Sequence, residues 1–397
     1  MSYLPVQPYW GSGSGSGGGD PRISERIVPS GMIFRYPDGT PHRIKRSSDF
    51  PFGDRLTIRG EDMEPIAADR KAIGANSLRL FCQYDAAGIG KPFGRSLTAA
   101  MYTPQLILDT ARWLQARNLR VEFTILADCD QLGMNHAAQV QRVGAVLEVV
   151  SAEPNVVVEL GNEPGKNGCD VDLIAKDLGL TDPAKRKVPI CTGNYDWTNN
   201  ATIILDFFNN HLERKQTWPG EAGKEGHFLY GGWDASANGP AWKGCKPAPV
   251  VSDEPIGCTD DPGTPNYGRR DNRPDAFEDG GAGWGVGCAG ADFHSDRGVQ
   301  SVLFGDVSRE CGRRMFAAID FFPADAPTGT YTHDGLSDHP LASTAGKTSD
   351  EVVAYLHGTR AYAVAALPTA SYAPVAVNGW RIAAEYGSRR NILWLER

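Results

Sequence analysis

No stretch of this chain approaches 18 consecutive apolar residues, so a membrane-spanning helix is not expected. A basic footprint is missing too: 40 Lys and Arg stand against 48 Asp and Glu, well mixed, for a net charge of −8. That balance argues against nucleic acid and against an anionic membrane surface as partners. The 8 cysteines and 8 histidines include no Cys-x-x-Cys pair and no spacing suited to zinc, so no metal site is expected. No glycine-rich phosphate loop opens a helix after a strand; the glycine-rich run 280–287 follows no strand-like segment. No cofactor is therefore expected. Residues 1–6 have neither a basic start nor an apolar core, so a secretory leader is not anticipated and a cytoplasmic location is the expectation.

What is present is an ordinary globular composition, 41% hydrophobic and 22% charged over 397 residues, which suits one large α/β domain with a small appendage. Cys82, Cys191 and Cys288 sit in or beside strand-like runs, where a thiol behaves as a small apolar group. Cys245 and Cys258 bracket one strand and would pair only in an oxidising compartment. Residues 11–19 contain only Gly and Ser and read as a flexible tether to a short head carrying Tyr9 and Trp10.

From about residue 30 the chain alternates apolar runs with helix-like stretches. The expected strands are 32–35, 77–81, 120–126, 156–160, 188–191, 228–231, 249–252 and 289–293, continuous apolar segments as buried parallel strands should be. Thr103-Pro104 is a helix start, with Ile107, Ala111 and Leu114 on one face. Val140, Val143, Leu147 and Val150 repeat that pattern, as do Met315, Phe316 and Ile319. Eight such alternations favour a closed (β/α)8 barrel over an open sheet. After about residue 345 the pattern becomes short β-like runs with an Asn378-Gly379 turn, which reads as a small antiparallel β module. The expected organisation is a flexible segment over 1–29, a barrel over 30–345 and a β module over 346–397.

Barrel enzymes carry their chemistry where strands end. Val156-Val-Val-Glu-Leu-Gly-Asn162-Glu163-Pro164 runs a buried strand into a carboxyl, with Pro164 biasing Glu163 toward an extended backbone. Pro249-Val-Val-Ser-Asp253-Glu254-Pro255 repeats the plan. Placed on the fourth and seventh strands, Glu163 and Glu254 would face each other across the mouth. Two carboxyls across a cleft are what glycoside hydrolysis needs: one protonates the leaving oxygen and the other attacks the anomeric carbon. Mutual repulsion and partial burial would keep the acid protonated near neutrality.

These residues resemble the clan A glycoside hydrolases, the group that includes family 5 cellulases and mannanases. The resemblance implies that Glu163 is the general acid/base, Glu254 the nucleophile and Asn162 a contact to the sugar 2-hydroxyl. It also implies that Arg79, in Asn76-Ser-Leu-Arg79-Leu-Phe, steadies the nucleophile. The opening Gly31-Met-Ile-Phe-Arg-Tyr-Pro-Asp-Gly is similar to the clan's entry into its first strand. Two departures stand out. Many members have Glu-x-Gly at the seventh strand, whereas Asp253 here is a rival nucleophile. A Trp commonly ends the eighth strand, where this chain has His294.

Asp128 after the third strand, and Tyr230 and Trp233 around the expected sixth strand, complete the candidate carbohydrate contacts. Trp197, Trp242 and Trp284 offer further aromatic faces for a sugar, although packing accounts for a Trp equally well. His136 and His211 read as helical residues. The leading expectation is a retaining hydrolase of β-linked glycosides with a carbohydrate substrate and no cofactor; the oligomeric state stays open. The alternative is a catalytically silent barrel that binds carbohydrate or serves as a scaffold.

Overall fold

The computed structural model describes residues 18–195, 203, 205–211, 248–253, 257–260, 274–333, 337–342, 352–365, 375–387, 390 and 392–397. Glu254, Tyr230, Trp233, Trp197, Trp242 and Cys245 lie outside them.

Eight parallel strands close into a ring: β1 (Ile44–Ser48), β2 (Ser77–Phe81), β3 (Arg120–Leu126), β4 (Val156–Gly161), β5 (Ile190–Tyr195), β6 (Phe208–His211), β7 (Val250–Asp253) and β8 (Gly290–Ser295). Each strand pairs with the next, and β8 pairs back onto β1. This is the expected (β/α)8 barrel. Around it lie α1 (Glu64–Ala72), α2 (Pro104–Gln115), α3 (His136–Val150), α4 (Val171–Asp177), α5 (Pro274–Gly287) and α6 (Asp306–Phe321).

The helices form for local reasons. The Thr103 hydroxyl accepts from the Leu106 amide at the start of α2, Pro104 follows, and Ile107, Ala111 and Leu114 are buried against the barrel. Asn135 caps α3 through the Ala138 amide, and Val143, Val146 and Val150 face inward. Complete burial of one such valine contributes about 1.5–3 kcal/mol. The glycine-rich run 280–287 belongs to α5 and is a packing surface. A Cβ on Gly281 would lie 2.3 Å from the Met315 carbonyl, and one on Gly285 would lie 2.9 Å from the Ile319 Cα, so glycine is what lets α5 and α6 touch. Trp284, in the same helix, is 1% exposed and sits in the core with Phe293 and Phe316, where no sugar can reach it.

Two of the expected strands are displaced. Residues 32–35 do not open the barrel. They form the middle of a small antiparallel sheet of Val28–Ser30, Ile33–Arg35 and Pro41–His42. Its neighbours Ile27, Phe34 and Tyr36 pack on Val157, Cys191, Val251 and Ala289, closing the end of the barrel where the strands begin. The sixth place in the ring belongs to Phe208–His211, not to 228–231, which lies outside the described residues. His211 therefore ends a strand rather than lying on a helix. Both true strands escape an apolar-run search for one reason: β1 carries Arg46 and Ser48, and β6 carries Asn209, into a polar barrel interior.

The last two glycines of the Gly/Ser run are packed rather than loose. The Gly18 amide donates to the Lys71 carbonyl and the Asp20 amide to that of Asn118, each at 2.7 Å. A Cβ on Gly18 would meet the Lys71 carbonyl at 2.4 Å.

Beyond the barrel, β9 (Thr330–His333), β10 (Val352–His357), β11 (Arg360–Ala365), β12 (Arg381–Tyr386) and β13 (Ile392–Glu396) make the antiparallel sheet β9-β10-β11-β13-β12. Tyr355, Tyr362 and Ile392 on one face pack against Ala282 and Val286 of α5 and Ala318 of α6. Asn378 and Gly379 take the positive φ values (55° and 79°) that a tight turn of this composition requires. No helix among the described residues is long and apolar enough to cross a membrane.

Candidate active site

A cleft of about 750 Å³ opens at the end of the barrel where the strands finish. Phe50, Phe81, Asp128, Asn162, Glu163 and His294 line it, from the ends of β1, β2, β3, β4 and β8. Thus four of the expected residues, Asp128, Asn162, Glu163 and His294, converge. Arg79 lies beneath, while Glu254, Tyr230 and Trp233 fall outside the described residues. β7 ends at Asp253, the residue before Glu254, and stands three strands from β4 in the ring.

Glu163 leaves β4 through a backbone bend. Its φ is +38°, in the left-handed region rather than the extended one that Pro164 suggested. For a residue with a Cβ this costs on the order of 1–3 kcal/mol. The bend is held because the Glu163 carbonyl accepts from the amides of both Lys166 and Asn167, at 3.0 Å each. The carboxyl stays in the cleft, where its Oε2 meets the Lys166 ammonium at 2.7 Å. Lys166 is mostly exposed, so this pair is a weak one.

Asn162 is oriented from below. The fully buried Arg79 donates through Nη2 to Glu159 Oε2 at 2.7 Å and to Asn162 Oδ1 at 2.9 Å. An arginine has no acceptor, so the atom that faces it is the oxygen of the Asn162 amide, and the contact fixes that amide's orientation at the edge of the cleft. Arg79 thus acts here on Asn162. Glu159 also accepts from Thr124, and Arg79 Nε lies 3.8 Å from Glu122.

Asp128 has a φ of +49° and lines the cleft, but one oxygen is committed to the protein. Its Oδ2 accepts from the amides of Asp85 and Ile89, at 3.0 and 2.8 Å, and so anchors the loop that follows β2. Burial pushes its carboxyl above the ordinary aspartate range, against the pull of those two amides. His294, 7% exposed, stands where the clan's Trp was expected, with its ring 6.0 Å from that of Phe50. Phe50 in turn stacks on Phe81 at 4.1 Å. The aromatic surface at this end of the cleft is therefore a Phe50–Phe81–His294 group. Phe50 went unread in the sequence because β1 was sought twelve residues too early. Among the described residues no group of three His, Cys, Asp or Glu is placed to hold a metal ion.

Among solved structures the chain is similar to a glycoside hydrolase at a TM-score of 0.60 and 13% identity, covering 95% of this chain and 98% of that one. It is likewise similar to a family 5 glycoside hydrolase from Bacteroides vulgatus at a TM-score of 0.55 and 13% identity, covering 95% of this chain and 94% of that one. The fold is that of the family 5 glycoside hydrolases. No protein-family model matches the chain, and no curated protein does. Both neighbours extend over nearly the whole chain, so the family 5-like fold takes in the β module as well as the barrel.

Proposed function

We propose that this chain is a retaining glycoside hydrolase acting on a β-linked carbohydrate, with Glu163 as general acid/base and Glu254 as nucleophile. The observation that carries the reading is the end of β4: Glu163 reaches into the cleft beside an Asn162 amide whose orientation Arg79 fixes.

In this reading the sugar ring lies over the mouth of the barrel. The Asn162 NH2 donates to its 2-hydroxyl, a bond that strengthens as charge develops at the anomeric carbon. Glu163 protonates the departing oxygen while Glu254 attacks from the opposite face and forms a glycosyl-enzyme. Glu163, now ionised, then takes a proton from the water that releases the sugar. Lys166 must leave Glu163 before that carboxyl can carry a proton to the leaving oxygen. An exposed ion pair is worth about 0–1 kcal/mol, so substrate can displace it. The Phe50–Phe81–His294 group offers an apolar face where the clan uses Trp.

The test is trapping with activated 2-deoxy-2-fluoro glycosides, followed by peptide mass mapping. A sugar on Glu254 is expected. A label on Asp253 would keep the chemistry and move the nucleophile, and no label from any sugar would overturn the reading. Glu163→Ala is expected to cripple natural substrates while sparing reactive aryl glycosides, with rescue by azide.

A further inference from the structure

We infer that Asn167 is a positioning residue that sets the geometry of Glu163. The inference rests on the reading of Glu163 as acid/base, and it concerns a residue that no motif in the sequence marks.

Asn167 bonds to the peptide groups on both sides of Glu163. Its side-chain Nδ2 donates to the Asn162 carbonyl at 2.7 Å, fixing the peptide plane that enters Glu163. Its backbone amide donates to the Glu163 carbonyl at 3.0 Å, fixing the plane that leaves it. With the Lys166 amide, which donates to the same Glu163 carbonyl at 3.0 Å, these bonds hold Glu163 at its φ of +38°. The clamp has a fixed anchor. The Asn167 carbonyl accepts from the Cys129 amide at 2.8 Å, so the β4 bend is tied to the residue that follows Asp128 at the end of β3. Asn167 is 4% exposed, so water competes poorly for these bonds, and it borders the cleft without a charge of its own.

A small residue at this position would keep the backbone bond and lose the side-chain one. The Asn162–Glu163 peptide could then rotate, swinging the Glu163 carboxyl away from the glycosidic oxygen. A displacement of about 1 Å at a catalytic group costs roughly 100-fold. The dependence on leaving group would appear in kcat/KM, which reports formation of the glycosyl-enzyme; the second step, where Glu163 is the base, is slowed alike for every substrate. A phenyl leaving group needs that proton, and a 2,4-dinitrophenyl group does not.

The experiment compares wild type, Asn167→Ala and Asn167→Asp on phenyl and 2,4-dinitrophenyl β-glucosides and β-mannosides, with folding checked by circular dichroism. Asn167→Asp preserves shape while replacing the donor. Expected is a fall in kcat/KM of about 10- to 100-fold on the phenyl glycosides and under about 3-fold on the dinitrophenyl ones. The basic limb of the kcat/KM pH profile is also expected to move in both variants. Equal losses of kcat/KM on both leaving groups from folded protein would overturn the inference, as would failure of both variants to fold, which would make Asn167 a folding element. A wild type inert on every glycoside, the trapping reagents included, would instead remove the reading of Glu163 itself.

Discussion

Replacing His42 by Gln should remove a large part of the acid sensitivity of the fold. His42 lies in the small sheet that closes the barrel and is 5% exposed. Tyr36 Oη donates to Asp20 Oδ1 at 2.7 Å and therefore accepts from His42 Nδ1–H at 2.8 Å. His42 Nε2 is buried without a hydrogen-bond partner. Protonation would put an unsatisfied N–H there. The Asp20 carboxylate, 3.8 Å from Nδ1, does not compensate, because Arg120 Nε already holds it at 2.6 Å. Burial, with the nearby Arg120 charge, depresses the imidazole from 6.5 to about 3.

The sign follows from linkage. The unfolded chain binds a proton near pH 6.5 and the folded one near 3, so stability falls as pH drops between them. At about 1.4 kcal/mol per unit, the loss between pH 7 and pH 4.5 is about 2–3 kcal/mol from this group alone. Asp20, held low chiefly by Arg120 against its own burial, acts in a lower window, below its ordinary 3.8. Gln can donate to Tyr36 and does not titrate. Urea unfolding of wild type and His42→Gln at pH 7.0 and 4.5 gives the difference, in which the carboxylates common to both proteins cancel. Wild type should lose about 2–3 kcal/mol more than the variant over that interval. Parallel losses would refute the claim that the imidazole is neutral and uncompensated.

Two further outcomes follow from packing. In Gly88→Ala the new Cβ would lie 2.4 Å from Asp128 Oδ2, breaking its bonds to the Asp85 and Ile89 amides. A loss of about 1–3 kcal/mol in urea unfolding, with faster proteolysis within residues 85–94, is expected, and wild-type behaviour in both assays would contradict the anchoring role of Asp128. Burial pushes the Cys82 and Cys288 thiols up to about 12, so iodoacetamide at pH 8 should leave both unmodified in native protein and modify both in urea, as read by peptide mapping.

The sequence disclosed strands according to what they bury. β4 and β7 open on consecutive valines, and β2, β3 and β8 keep apolar residues on either side of Arg79, Glu122 and Asp292, so each was legible to within a few positions. β1, Ile-Lys-Arg-Ser-Ser, and β6, Phe-Asn-Asn-His, are invisible to the same test because each has a single apolar residue, with Arg46 and Asn209 buried in the ring. The Asn162-Glu163-Pro164 string was legible because the chemistry sits in consecutive residues at a strand end. What holds that string was not. Asn167 acts through one side-chain amide and its own backbone, and nothing in Lys-Asn-Gly announces a clamp. The positive φ of Glu163 was hidden for the same reason: the local preference set by Pro164 loses to three hydrogen bonds made by Lys166 and Asn167.

The polar interior that concealed two strands also explains how the site is held. Arg46, Arg79, Glu122, Glu159 and Asp292 are all fully buried within the ring. Arg46 pairs with Glu122, Asn209 donates to Glu122 at 2.7 Å, and Ser48 donates to Asp292. A barrel filled with branched apolar residues would avoid the desolvation penalty of several kcal/mol per ion. It could not, however, orient a side-chain amide at the mouth. Arg79 makes that connection, since the guanidinium that satisfies Glu159 also fixes Asn162, so the rotamer of one cleft residue is coupled to ion pairs spanning β1, β2, β3 and β4. Removing any one of these charges strands its partners in a dry interior, at roughly 3–5 kcal/mol. Substitutions at Arg46 or Glu122, which do not reach the cleft, should therefore disturb Asn162 and the whole barrel together, whereas Asn162→Ala should disturb binding and leave the barrel standing.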